Sequence, residues 1–252
     1  MTTLISKMFI HLKRLFAHSL MLVLKVRNII MGVISPQNCY YAEFFTDKYI
    51  RRRFFPDFSY RGCIVEVGCA TPELLSMSKH FRNAGWRCVG VEPNPRFAKM
   101  HRDKGYEIYE YAAADFSADN FQFTIVETES TYSETAISAQ SYSSLKIKQN
   151  FRDYNSNAIS HYKEKQISVA VRKLDQILAE HCPDIQSIDI LSIDVEGYEL
   201  EVLNGFDIKK YSPKVIVLEN LFHDNEYMSY MQSAGYKLVK KIAYNYIYDP
   251  GV

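Results

Sequence analysis

The sequence is poor in the features that hold small secreted proteins or structural zinc sites together. Its five cysteines are odd in number, and no two of them form a C-x-x-C pair. A disulfide framework and a zinc cluster are therefore not expected, and a reducing compartment such as the cytoplasm fits better. The chain also lacks an excess of charge, with a formal net charge of +1. Nucleic acid is accordingly not an expected partner.

Long apolar runs are absent as well. The longest uncharged stretch near the amino terminus is 17–24, whereas a membrane-spanning helix needs roughly 20 apolar residues. This region is apolar and basic, without an acid before Glu43. We predict that residues 1–38 form a helical extension. Two interpretations stay open for 8–34: a helix packed on the domain or on a second copy in a homodimer, or a peripheral helix on a membrane surface.

Residues 39–252 are predicted to form one α/β domain. Short β-branched runs alternate with helical patterns, which indicates right-handed crossovers and a parallel sheet. Buried strands are expected at 63–68, 87–92, 107–111, 188–193 and 213–220, with an antiparallel pair at 236–241 and 244–248. The segment 127–165 has no hydrophobic period, and we interpret it as a lid or binding loop.

Carboxylates follow the ends of several predicted strands. Glu66 lies just before Gly68 at the first strand end, Glu92 ends the second strand, and Asp194 and Glu196 follow the strand at 188–193. Ligands of open parallel sheets bind outside the carboxyl ends of the strands. We therefore expect these acids to face a bound ligand.

The turn after the first strand departs from a dinucleotide-binding fingerprint. Ala70, Thr71 and Pro72 occupy places where further glycines would admit a pyrophosphate. This argues against NAD and ATP and favours a nucleoside ligand without a pyrophosphate. Glu92 stands about where a carboxylate accepts hydrogen bonds from the ribose hydroxyls.

Four motifs resemble the FkbM family of S-adenosylmethionine-dependent methyltransferases. They are Val65-Glu66-Val67-Gly68, Val91-Glu92-Pro93-Asn94-Pro95, Asp194-Val195-Glu196-Gly197-Tyr198-Glu199 with Leu203-Asn204-Gly205, and Val217-Leu218-Glu219-Asn220. The resemblance covers about residues 40–248. It implies a class I, Rossmann-like α/β fold: a mostly parallel seven-stranded sheet with helices on both faces and an antiparallel edge strand. It also implies methyl transfer to a hydroxyl of a sugar, glycan or related small-molecule acceptor.

The resemblance also implies a cofactor site, position by position. Glu66, Gly68 and Cys69 would contact the methionine part of S-adenosylmethionine, and Glu92 and Pro93 its ribose. The adenine would lie against residues 112–115, which include Ala113 and Asp115. Asp194 is counted both as a cofactor contact and as a catalytic candidate.

Activation of the acceptor can occur in two ways. A sugar hydroxyl is a poor nucleophile at neutral pH and needs a base or a metal ion. Asp194, Glu219 and Asn220 resemble in position the ligands of metal-dependent catechol-type O-methyltransferases, and such oxygen ligands suit Mg²⁺ or Mn²⁺. The alternative is a metal-free site in which Asp194, Glu196 or His223 is the base. Glu199 is interpreted as structural.

A function of another class also stays open. The chain could be a catalytically silent methyltransferase-like module that binds a partner through its amino-terminal helix. Binding of S-adenosylmethionine or its demethylated product separates the two interpretations.

Overall fold

The computed structural model describes residues 38–127, 139–159 and 162–251. Contacts divide the chain into two units, residues 1–40 and 41–252, and the fold below is that of the second unit. The predicted amino-terminal extension, including 8–34, lies outside the described residues except for its last position. No helix in the described ranges combines the length and hydropathy needed to cross a bilayer.

The described part of the second unit contains a seven-stranded, mostly parallel sheet. Its strands are β1 (Cys63–Val67), β2 (Arg87–Val91), β3 (Ile108–Tyr109), β7 (Ile190–Ile193), β8 (Val215–Glu219), β9 (Lys237–Ile242) and β10 (Asn245–Asp249). They lie in the order β3-β2-β1-β7-β8-β10-β9. Pairing is parallel from β3 to β8, whereas β10 runs antiparallel to both β8 and β9. This topology confirms the predicted α/β fold with its antiparallel edge.

Helices cover both faces of this sheet, because successive side chains of a strand point to opposite sides. The helices are α1 (Thr46–Phe54), α2 (Ser78–Asn83), α3 (Pro95–Arg102), α4 (Gln149–Ala158), α5 (Leu174–His181), α6 (Glu199–Asn204), α7 (Ile208–Tyr211) and α8 (Asn225–Ser233). Val65 and Val67 of β1 pack on one face with α5, α6 and α8, while Ile64 packs on the other with Ile50 of α1 and Phe81 of α2. A short 3-10 helix at Glu43–Phe45 precedes α1.

A second, three-stranded sheet lies beside the carboxyl end of β3. It consists of β4 (Ala112–Ala113), β5 (Ala118–Glu127) and β6 (Lys163–Arg172), with β6 in the middle. The strand predicted at 107–111 is therefore shorter than expected, since β3 ends at Tyr109 and the chain turns where the Tyr111 N–H donates to the Tyr109 carbonyl. β5 and β6 run antiparallel, and the predicted lid segment joins them.

The lid segment contains a helix that the sequence pattern did not predict. Helix α4 (Gln149–Ala158) places Phe151 in a small apolar cluster with Val126 and Ile147. The cluster anchors the lid to the end of β5, because Val126 belongs to that strand. Residues 128–138 and 160–161 of the segment are outside the described ranges.

One helix begins later than predicted. The pattern favours a helix from Leu74, but α2 begins at Ser78. Leu75 has a φ of 57°, and the Glu66 carboxylate accepts from the Met77 and Ser78 amides at 2.9 and 3.2 Å. A buried acid on β1 thus fixes where the helix starts, an effect that apolar periodicity does not show.

Candidate functional site

A cleft that is partly open to solvent lies at the carboxyl ends of β1, β2 and β7. Its walls come from the loops after these three strands, from β4 and its flanks, and from the lid. They include Gly68, Ala70, Glu92, Pro93, Tyr111, Ala112, Ala113, Phe123, Gln140, Ser143, Asp194 and Tyr198. The predicted strand ends therefore do meet at one site.

Glu92 is held at this cleft by two backbone amides. Its Oε2 accepts from the Ala70 N–H at 2.8 Å and its Oε1 from the Asn94 N–H at 2.8 Å. Burial, and to a smaller extent the charges of Glu66 and Glu110, raise the pKa of Glu92 to about 7 despite these bonds. Each carboxylate oxygen has a second acceptor site. Glu92 is consequently fixed in place and still able to accept from two ligand hydroxyls.

The turn after β1 is held in place by contacts with neighbouring elements and does not contain a run of glycines. Ala70 adopts a φ of 42°, its amide donates to Glu92, and its carbonyl contacts Nε2 of His101 at 3.1 Å. Gly68 has a φ of 82°, and a Cβ there would lie 1.7 Å from the Asp194 carbonyl oxygen. The turns after β1 and β7 are thus in direct contact, which needs glycine at position 68.

Three acids form a cluster beside the cleft. Asp194, Glu196 and Glu219 each have a carboxylate oxygen within 4.8 Å of the others. Burial, followed by the charges of the neighbouring acids, raises the pKa of the Glu196 and Glu219 carboxyls. Asp194 is solvent-accessible because it faces the cleft, whereas Glu196 is only 7% exposed. One oxygen each of Glu196 and Glu219 is buried without a hydrogen-bond partner.

The backbone that carries two of these acids is shaped by Glu199. Its Oε1 accepts from the amides of Val195 and Gly197 at 3.1 and 3.0 Å, and its second oxygen accepts from the Tyr227 hydroxyl. Glu196, between those amides, has a φ of 59°. Glu199 is buried and committed to three bonds, which supports its predicted structural role.

Aromatic side chains from the lid lie close to the acids. A Cβ on Gly197 would be 2.6 Å from the Phe151 ring of α4. The charges of Glu196 and Glu219 add to burial in raising the pKa of the Tyr154 phenol. Phe151 and Tyr154 both meet Phe222 edge-to-face, with centroids 4.8 and 6.3 Å apart. The lid thus brings apolar surface to the acid cluster.

Comparison with known families decides what kind of protein has this site. A family model described as the methyltransferase FkbM domain matches residues 66–238. This chain belongs to the FkbM methyltransferase family. Family membership confirms the resemblance seen in the motifs and supports methyltransferase activity in general.

Other comparisons add less. A search of curated proteins finds no match. Among solved structures, the chain is similar to methyltransferase FkbM from Methylobacillus flagellatus KT, with 12% identity and a TM-score of 0.43 over 89% of this chain. The match covers 59% of that protein, so the chain spans about three fifths of its length.

The predicted cofactor residues of this FkbM protein do not all reach the cleft. Gly68, Glu92, Pro93, Ala113 and Asp194 line it. Three others lie elsewhere: Glu66 binds the start of α2, Cys69 is buried with its thiol on the Glu66 carbonyl at 3.0 Å, and Asp115 is exposed outside the lining.

The predicted catalytic and metal residues divide in a similar way. Asp194, Glu196 and Glu219 come together, whereas His223 is exposed and its Nδ1 contacts the Tyr246 hydroxyl at 3.0 Å. The Asn220 amide is bonded at both ends to the Asp224 backbone, at 2.8 and 2.9 Å. Asn220 thereby closes the loop after β8.

Sequence reasoning missed several residues near the site. Glu43, on the 3-10 helix, is close enough to the acid cluster for its charge to raise the pKa of Asp194, Glu196 and Glu219. Gln140 and Ser143 of the lid line the cleft. Their segments have no periodicity, and only the general interpretation of 127–165 as a binding loop pointed to the lid residues.

Proposed function

We propose that this FkbM protein is an S-adenosylmethionine-dependent O-methyltransferase that acts on a hydroxyl of a sugar, glycan or related small molecule. One observation carries the proposal. Asp194 lines the cleft that also contains Glu92, and it belongs to the acid cluster with Glu196 and Glu219. A nucleoside-binding carboxylate and a proton-accepting group therefore share one cavity.

The lining residues fit the proposed cofactor. Glu92 presents free acceptor positions for the two ribose hydroxyls, which a 2′-phosphate would not satisfy. Ala112 and Ala113 leave room for a flat ring near Tyr111. When bound, S-adenosylmethionine supplies a methyl group on a sulfonium, which leaves as a neutral thioether.

The residues of the chain supply alignment and a place for the proton. As the new O–CH₃ bond forms and the S–CH₃ bond breaks, the acceptor hydroxyl loses its proton, and we assign that proton to the Asp194 carboxylate at the cleft wall. A positioned base of this kind contributes about 10²–10⁴-fold to rate. Glu196 is the second acid, and the aromatic groups of the lid keep water away from it.

Cofactor binding is the first test. Titration of the demethylated product, S-adenosylhomocysteine, by calorimetry should show a single saturable site, and Glu92→Ala should weaken it at least about tenfold, since it removes charge-assisted hydrogen bonds. Glu180→Gln, an exposed acid on α5, is the matched control and should bind normally. No binding to the wild-type protein would favour the catalytically silent module instead.

Methyl transfer is the second test. Labelled S-adenosylmethionine is incubated with a panel of sugars and glycans, and methyl ethers are detected by mass spectrometry. Asp194→Asn should bind the product but lose about 100-fold or more in turnover. Asp103→Asn, whose exposed side chain only meets Lys99, serves as control. Near-normal turnover of Asp194→Asn would contradict the assigned role.

A further inference from the structure

Two features of the acid cluster point to a ligand of opposite charge. Carboxylates of Asp194, Glu196 and Glu219 converge within 4.8 Å of one another. In addition, Glu196 is more than nine-tenths buried and its Oε2 has no hydrogen-bond partner. Buried carboxylates ordinarily pair with a cation or with donors, because an unpaired one costs several kcal/mol.

Ion pairing among the described residues does not supply this cation. The ion pairs in the described residues nearest along the chain involve Glu201 with Lys148 and Asp189 with Lys214, and none includes a member of the cluster. The donors around Glu196 are taken by another acid, since the amides of Val195 and Gly197 point to Glu199. Glu43 adds a further negative charge nearby.

The arrangement suits a hard divalent cation. We propose that Asp194, Glu196 and Glu219 together bind one divalent cation of the Mg²⁺ or Mn²⁺ type. Oxygen ligands from two or three carboxylates are what these ions take in proteins, with water or substrate oxygens filling the remaining positions. The negative charge of the three carboxylates would be balanced by the positive charges of the cation and of the sulfonium in the proposed cofactor. Binding of the cation is independent of methyl transfer; its use to lower the pKa of the acceptor hydroxyl rests on the proposed function.

This set differs from the sequence-based set in its third member. Asn220 commits its amide oxygen to the Asp224 N–H, whereas Glu196 has a carboxylate oxygen within 4.8 Å of those of Asp194 and Glu219 and an Oε2 without a hydrogen-bond partner. Glu196 also adopts a φ of 59°, in the left-handed region that is costly for a residue other than glycine. A bound cation would offset that cost.

The experiment titrates chelator-treated full-length protein with Mn²⁺ and follows the free ion by electron paramagnetic resonance, without S-adenosylmethionine. We expect one ion per chain. Glu196→Gln and Glu219→Gln should each weaken binding at least about tenfold, the loss seen even for groups that only support metal ligands. Glu201→Gln is the matched control, an acid nearby on α6 with an unpartnered oxygen of its own. Asn220→Ala should retain Mn²⁺ affinity.

The outcomes are distinguishable. Absence of one-to-one Mn²⁺ binding by the wild-type protein overturns the proposal, as does unchanged affinity in both glutamine variants. A loss of affinity in Asn220→Ala, with Glu196→Gln unchanged, would assign the site to Asp194, Glu219 and Asn220 instead. Thermal unfolding of every variant checks folding, and the wild-type titration decides the proposal even if a variant does not fold. If S-adenosylhomocysteine binds while Mn²⁺ does not, the cation site is rejected and the proposed function is kept. If Mn²⁺ binds while S-adenosylhomocysteine does not, the proposed function is rejected and the cation site is kept.

Discussion

The affinity of the cleft for S-adenosylhomocysteine should depend on pH through Glu92. Its pKa is raised from 4.5 to about 7 by burial, with smaller contributions from Glu66 on β1 and from Glu110. The ionised form is needed to accept from both ribose hydroxyls, so affinity should rise as the pH rises through about 7. About one tenth of Glu92 is ionised at pH 6 and about nine tenths at pH 8, which predicts a roughly tenfold difference, or about 1.4 kcal/mol.

Calorimetry at pH 6 and pH 8 measures this difference directly. Glu92→Gln should bind weakly at both values and show no step between them. One of the Ala70 and Asn94 amides loses its acceptor in this variant, so a modest fall in melting temperature is also expected. Use of 5′-methylthioadenosine, which lacks the amino-acid end, shows whether the step belongs to the nucleoside half. Equal wild-type affinity at pH 6 and pH 8 would refute the reasoning.

Three further predictions concern the scaffold of the site. In urea unfolding, Gly68→Ala should lower the free energy of unfolding by clearly more than Gly105→Ala. Both glycines have a positive φ, which costs an alanine about 1–2 kcal/mol, but only a Cβ at position 68 meets the Asp194 carbonyl. Equal losses of stability would argue against contact between the two turns. Glu199→Ala should lower the free energy of unfolding by about 2–4 kcal/mol, because two amides and a hydroxyl lose their acceptor. Tyr227→Phe should lower it by about 1 kcal/mol. A loss under about 1 kcal/mol for Glu199→Ala would contradict this expectation. Gly197→Ala should lower turnover with little effect on S-adenosylhomocysteine affinity, because its Cβ would push against Phe151 of the lid; unchanged turnover would count against a role for the lid.

Local sequence patterns predicted the main sheet well. β-branched runs followed by acids identify β1, β2, β7 and β8, and this sufficed to bring Glu92 and Asp194 to one edge. The sequence was less informative where a long-range contact decides the structure. The start of α2 depends on Glu66 of another element, and the early end of β3 depends on a turn at Tyr111.

The acid cluster shows the same limit at the site. Asp194 and Glu219 could be placed together because their strands are neighbours in the sheet. Glu196 has a positive φ, which no neighbouring proline or asparagine signals. Glu43 lies near the acids although it is far from them in the sequence, and the Asn220 side chain is bonded to the backbone of Asp224. None of these features has a periodic signature in the sequence.

The lid begins and ends at facing positions of two paired strands, since Glu127 of β5 lies opposite Lys163 of β6. Because its ends are already side by side, a longer or shorter insertion at this point changes the closure entropy only slightly, by about 0.6 kcal/mol per doubling of length. The cleft residues that follow β1, β2 and β7 are untouched by such a change, whereas the wall that contains Gln140 and Ser143 changes with the lid. Under the proposed function, exchange of the lid between family members should therefore alter the choice of acceptor more than the binding of the cofactor.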